Sequence, residues 1–139
     1  MNDVKTELFV GTHEFRFVPP DQIHFVMRGE FKGAHVDPYF DFVFSHGEST
    51  GGLLYSVYDL SEFTRATESG RKRVINPGRL YPYAALAVIG ASFSTRTVAK
   101  MILRAGKLVA PKHFNFPIKF VSTMDDAQAW FDELRRKRA

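Results

Sequence analysis

Over the first thirty positions apolar and polar residues take turns, and further along the chain the period lengthens to that of helices. Residues 7–10 and 14–18 read as extended, with Phe15 and Phe17 on one face and Glu14 and Arg16 on the other. Pro19-Pro20-Asp21 makes a turn, and Ile23, Phe25 and Met27 then alternate with His24, Val26 and Arg28. Two such runs around a short turn predict an antiparallel hairpin. After Gly29 and Gly33, the positions Val36, Tyr39, Phe40, Val43 and Phe44 follow helical spacing. Asp37 is placed to cap that helix with Pro38 at its first position, and HGESTGG reads as the loop that ends it.

Residues 53–60 (LLYSVYDL) predict a central strand, and Ser61 is placed to cap a helix over 63–76. The inner line of that helix would be Phe63, Ala66, Gly70 and Val74, with Asn76-Pro77-Gly78 as its stop. Gly70 in its interior costs about 1 kcal/mol relative to alanine. A buried strand follows over 83–89, then a helix over 94–106 with Val98, Met101, Ile102 and Ala105 as its apolar stripe and Gly106 as its end. Beyond Pro111 and Pro117, residues 118–121 make a short strand. Thr123 and Asp126 open a last helix whose buried stripe is Ala127, Trp130, Phe131 and Leu134. Its closing run Arg135-Arg136-Lys137-Arg138 suits the negative end of the helix dipole.

The order β-β-α-β-α-β-α-β-α implies one α/β domain over residues 1–139. Its sheet is mixed, mostly parallel and open, with about five strands, an N-terminal hairpin and four helices. Cysteine is absent, which excludes disulfides, thiolate metal sites and cysteine catalysis. The first residues lack the basic and apolar pattern of a signal peptide. The longest apolar run, 80–93, is broken by Pro82 and is too short to span a bilayer, so a cytoplasmic location is expected. Charge divides unevenly: residues 1–64 hold 4 Lys/Arg and 10 Asp/Glu, whereas 65–139 hold 15 and 5. Interleaved elements would let the halves neutralise each other, and any excess would suit an anionic partner.

Candidate chemistry is sparse. Gly90, Ser92, Ser94, Thr95 and Arg96 lie at a strand-to-helix turn, where backbone N–H groups, hydroxyls and a guanidinium could take an anion, although capping by Ser94 or Thr95 explains the same residues. Gly90-Ala91-Ser92-Phe93-Ser94 falls one glycine short of a nucleophile elbow. The chain order Asp59, Ser92, His113 and the short chain also count against a hydrolase. Five histidines show no metal-ligand spacing, and no cofactor motif is present. Arg96, Lys100, Arg104 and Lys107 line one helix face, but no interleaved aromatics accompany them, which disfavours nucleic acid. Phe42, Phe93, Phe114 and Phe116 fall on none of these stripes and remain for a hydrophobic pocket or an oligomer interface.

The sequence resembles the STAS domains, in particular their stand-alone SpoIIAA-like branch. The resemblance is carried by Met27-Arg28-Gly29, Tyr58-Asp59-Leu60-Ser61, Ala84-Ala85-Leu86-Ala87-Val88-Ile89-Gly90 and Asp126-Ala127-Gln128-Ala129-Trp130-Phe131. It implies a helix-flanked open sheet, no catalysis and a regulatory role through a protein partner, with a homodimer expected. The family's antagonists are phosphorylated on a serine at a helix start, and that position is Ala66 here. Asp59, Ser61 and Thr64 are then the candidate phosphorylation or partner site, Thr64 keeping the helix-start geometry. The alternative is a small-ligand carrier that holds a lipid or anionic metabolite in a hydrophobic pocket.

Overall fold

The computed structural model describes residues 5–138. Its strands are β1 (Glu7–Val10), β2 (His13–Val18), β3 (Gln22–Phe31), β4 (Leu54–Ala66), β5 (Tyr83–Ile89) and β6 (Ile118–Phe120). They lie side by side in sequence order within one sheet. β1, β2 and β3 form an antiparallel meander, and β3 to β6 are parallel. The sheet therefore has six strands where about five were expected, because residues 7–10 and 13–18 separate at Gly11-Thr12 into two strands.

The helices α1 (Gly33–Ser49), α2 (Glu68–Val74) and α3 (Phe93–Val109) cover one face, and α4 (Met124–Arg138) covers the other. Alternation along the strands supplies both layers. Ile23, Phe25, Met27, Leu60, Leu86 and Val88 look into the larger core beneath α1 to α3. Tyr55, Val57, Ala85 and Ala87 meet Ala127 and Phe131 of α4, and the small side chains of β5 admit that helix closely. Thr123 caps α4 by accepting the Asp126 N–H at 3.1 Å, as the sequence predicted.

Several boundaries differ from expectation. α1 starts at Gly33, not at Asp37-Pro38, because the His35 ring accepts the Lys32 N–H at 3.0 Å and Asp37 instead pairs with Arg73. It also runs on through HGES, where buried His46 bonds the Lys5 carbonyl at 2.7 Å and Gly47 packs under Pro82. No helix spans 63–76: β4 continues to Ala66 and only residues 68–74 are helical, capped by Thr67. Ion pairs from Glu62 to Arg28 and from Arg65 to Glu30 lie across the β3–β4 ladder and hold this stretch extended. α3 is capped by Ser92, not Ser94 or Thr95, and passes Gly106 to Val109. Its inward residues are Ala99, Ile102, Leu103 and Gly106, while Met101, expected inside, is 63% exposed.

Across the charge divide, Glu30, Asp37, Glu48 and Asp21 pair with Arg65, Arg73, Arg79 and Arg135. Among the described residues, Arg96, Lys100, Arg104 and Lys107 of α3 join no ion pair. No helix is long and apolar enough to cross a membrane among these residues.

Candidate functional site

A chamber of about 120 Å³ lies between the sheet and the helices α2 and α3. Its floor is built by residues of three parallel strands: Met27 and Phe31 from β3, Tyr58, Leu60, Phe63 and Ala66 from β4, and Tyr83, Leu86 and Val88 from β5. The roof consists of Arg71 and Val74 of α2 and Ala99, Ile102 and Leu103 of α3, and Tyr81, Phe114 and Phe116 close the side. Phe63, Ala66, Gly70 and Val74, spaced like one helix face, prove to be two strand residues and two helix residues, and all but Gly70 line the chamber. The roof approaches closely where glycine permits it. A Cβ on Gly70 would lie 2.6 Å from the Phe31 carbonyl oxygen, and one on Gly106 2.6 Å from the Phe114 ring.

Four tyrosines converge on this space. The Tyr58 hydroxyl is 2.5 Å from that of Tyr39 and 2.5 Å from that of Tyr83. Tyr81 donates to the Val74 carbonyl at 2.6 Å and stacks on Tyr83 at 5.5 Å between ring centres. Burial pushes all four phenols above their ordinary range, so each keeps its proton at neutral pH. Tyr39, Tyr58 and Tyr83 together carry three O–H donors, yet only two hydrogen bonds join them.

Among the described residues, Arg71 is the only charged side chain in the chamber wall. Its neighbours Lys72 and Arg73 pair with Glu68 and Asp37, whereas the Arg71 guanidinium has no ion-pair or hydrogen-bond partner among the described residues. Arg71 and Val74 stand about one turn apart on the same face of α2, and Arg71 is exposed.

The residues singled out from sequence gather elsewhere, at the end of β5. Asp59 pairs with Ile89 in the β4–β5 ladder and accepts from the Ser61 N–H at 3.0 Å and the Ser61 hydroxyl at 2.7 Å. Gly90 packs against both. Thr64 is exposed in β4 and does not start a helix, so the helix-start geometry expected of it is absent. Ser92 turns its hydroxyl to Thr95, and Ser94 and Arg96 are exposed, the Arg96 guanidinium 5.6 Å from the centre of the Phe120 ring. Neither Ser92 nor Asp59 has His113 as a hydrogen-bond partner among the described residues. No group of three metal-ligating side chains forms among them either.

Two of the four leftover phenylalanines, Phe114 and Phe116, line the chamber; Phe42 lies in the core and Phe93 is 87% exposed. The tyrosine cluster was missed. Its signal in the sequence is the recurrence of tyrosine at 58, 81 and 83 in and just before two strands.

No protein-family model and no curated protein matches this sequence. Solved structures do match its shape. An uncharacterized protein with a SpoIIAA-like fold from Shewanella loihica PV-4 aligns at a TM-score of 0.56 with 14% identity, covering 84% of this chain and 88% of that one. The anti-sigma factor antagonist SpoIIAA in its unphosphorylated form aligns at 0.53 with 12% identity, covering 88% and 97%. The chain thus has the SpoIIAA-like fold, the STAS architecture that its sequence resembled.

Proposed function

We propose that this chain is a non-catalytic SpoIIAA-like regulatory module that works in the cytoplasm through a protein partner. The overhang of β4 carries the reading. Pairing with β5 ends at Asp59, yet β4 continues to Ala66, and no strand flanks residues 60–66 on the β5 side among the described residues. An open strand edge is a template for an added strand from another chain. Ser61 and Thr64 lie exposed on this edge, where phosphorylation would add negative charge beside Asp59 and Glu62 and weaken such a contact. A photo-crosslinking residue in place of Thr64 should yield one discrete adduct in cells, abolished by Glu62→Pro. The adduct's mass separates a second copy of this chain from a different protein. Adducts at Met101 on α3 but none at position 64 would overturn the assignment of the edge.

A second reading, a small-ligand carrier, is favoured by the chamber: it is apolar, preformed and fitted with a few polar groups, as ligand sites generally are. Native mass spectrometry of gently purified protein should reveal a bound small molecule. Consistently bare protein, together with no uptake of added apolar probes, would remove this reading.

A further inference from the structure

We infer that the outer face of α3 is a docking surface for an anionic lipid bilayer, separate from the open edge of β4. The helix is built the reverse way round from one that only covers a core. Its fully buried positions are the small residues Ala99 and Gly106, and a Cβ on Gly106 would lie 2.6 Å from the Phe114 ring, so even a methyl group crowds there. Three large apolar residues, Phe93, Met101 and Leu108, face solvent instead, Phe93 being 87% and Leu108 85% exposed, and none of them lines the chamber. On a regular helix these three fall within about a quarter of the circumference. Arg104 stands among them, and Arg96, Lys100 and Lys107 flank them on one side.

Charge decides what covers this face. Residues 69–124 hold 10 Lys/Arg and no Asp/Glu. Lys72, Arg73 and Arg79 of this stretch pair with Glu68, Asp37 and Glu48, whereas the four cations of α3 join no ion pair among the described residues. Arg96 and Lys100 lie over the Phe120 ring, at 5.6 and 5.4 Å from its centre. Exposed hydrocarbon set among such cations suits a surface that offers anions and hydrocarbon together. Lys and Arg reach anionic headgroups, while Phe93, Met101 and Leu108 enter the acyl boundary just beneath. An acidic protein fits less well. Phe93 and Leu108 stand about 22 Å apart along the helix, with Thr97 and Arg104 between, and so do not make the compact apolar centre that anchors a protein interface. A fluid bilayer needs no such centre. The helix lies along the surface, being too short and too charged to span it.

The test uses the whole chain with two vesicle types, phosphatidylcholine alone and about one part phosphatidylserine to two of phosphatidylcholine. The chain lacks cysteine, so Met101→Cys carries an environment-sensitive fluorophore at that site alone, and Arg136→Cys does so on α4 across the sheet. The label at 101 should brighten and shift to the blue with the anionic vesicles only, while the label at 136 stays in water. Arg104→Glu with Lys107→Glu should weaken co-sedimentation more than tenfold, and Phe93→Ser with Leu108→Ser about tenfold. All four positions are exposed, so the variants should melt as the parent does. Protein that stays in the supernatant with anionic vesicles overturns the bilayer assignment. Binding that ignores the serine pair and leaves the label at 101 in water is adsorption by charge alone and overturns it too. Retention on polyglutamate beads, lost in the glutamate pair and without vesicle binding, gives the face to an acidic protein instead.

Discussion

A Cβ placed on Gly90 would stand 2.9 Å from the Oδ1 of Asp59, and that carboxylate is already held by the N–H and hydroxyl of Ser61. Gly90 also has φ of +72°, a conformation that side chains disfavour. Gly90→Ala should therefore destabilise by about 2 kcal/mol, combining backbone strain with crowding. Gly78 has φ of +81° with nothing within 4 Å, so Gly78→Ala should cost only the backbone part, about 1 kcal/mol. Urea unfolding of the two variants measures the difference, and equal losses would refute the contact with Asp59.

Tyr58 is the middle of a three-hydroxyl relay, so Tyr58→Phe leaves two buried hydroxyls without their partner. Stability should fall by about 2 kcal/mol. Tyr83→Phe keeps the bond between Tyr39 and Tyr58 and should cost roughly half as much. Equal effects of the two changes in chemical denaturation would argue against a relay centred on Tyr58.

Alkali should unfold the protein through the same group. Tyr39, Tyr58, Tyr81 and Tyr83 have phenols raised above 10.0 by burial, so the folded state holds protons that the unfolded chain releases. Stability is then fully present below about pH 10 and falls as pH rises past it. Tyrosinate absorbance and loss of fold should rise together; ionisation of these four phenols in a still-folded protein would contradict their burial.

Acid acts on the histidines with the opposite direction of pH. His13 is fully buried, accepts the Arg28 N–H at Nδ1 and meets the Glu30 carbonyl at Nε2, which fixes the neutral tautomer with its proton on Nε2. Burial lowers its pKa below 6.5, as it does for His24, His35 and His46. Their contribution is present above about pH 6.5 and is lost as pH falls through the lowered values. Melting temperature should drop between pH 7 and pH 5, and a nuclear magnetic resonance titration should find His13 protonating below its ordinary value of 6.5. A flat profile over that range would rule this out.

Periodicity made the fold readable where one face of an element is buried. The alternation of Ile23, Phe25 and Met27 and the stripe of Ala127 and Phe131 survive in the structure because each meets a single core. It failed where partners distant in sequence decide. Phe63 and Ala66 combine with Gly70 and Val74 into a helical spacing, yet the ion pairs from Arg28 and Glu30 extend the first two as strand. On α3 the apolar residues exceed what one face can bury, so the stripe alone does not say whether Met101 or Leu103 turns inward. The chamber was harder still. Tyr39, Tyr58, Tyr81 and Tyr83 come from a helix, two strands and a loop, and only the parallel pairing of β4 with β5 together with the packing of α1 on the sheet brings them together.

β4 floors the chamber with Tyr58, Leu60, Phe63 and Ala66 while its far edge runs free of β5. One strand is thus shared by the two proposed sites, with no intervening layer to buffer one from the other. A molecule that stiffens β4 from within changes the entropy an incoming strand must surrender at the edge. Thermodynamic reciprocity then requires that strand to alter the affinity of the chamber by the same factor.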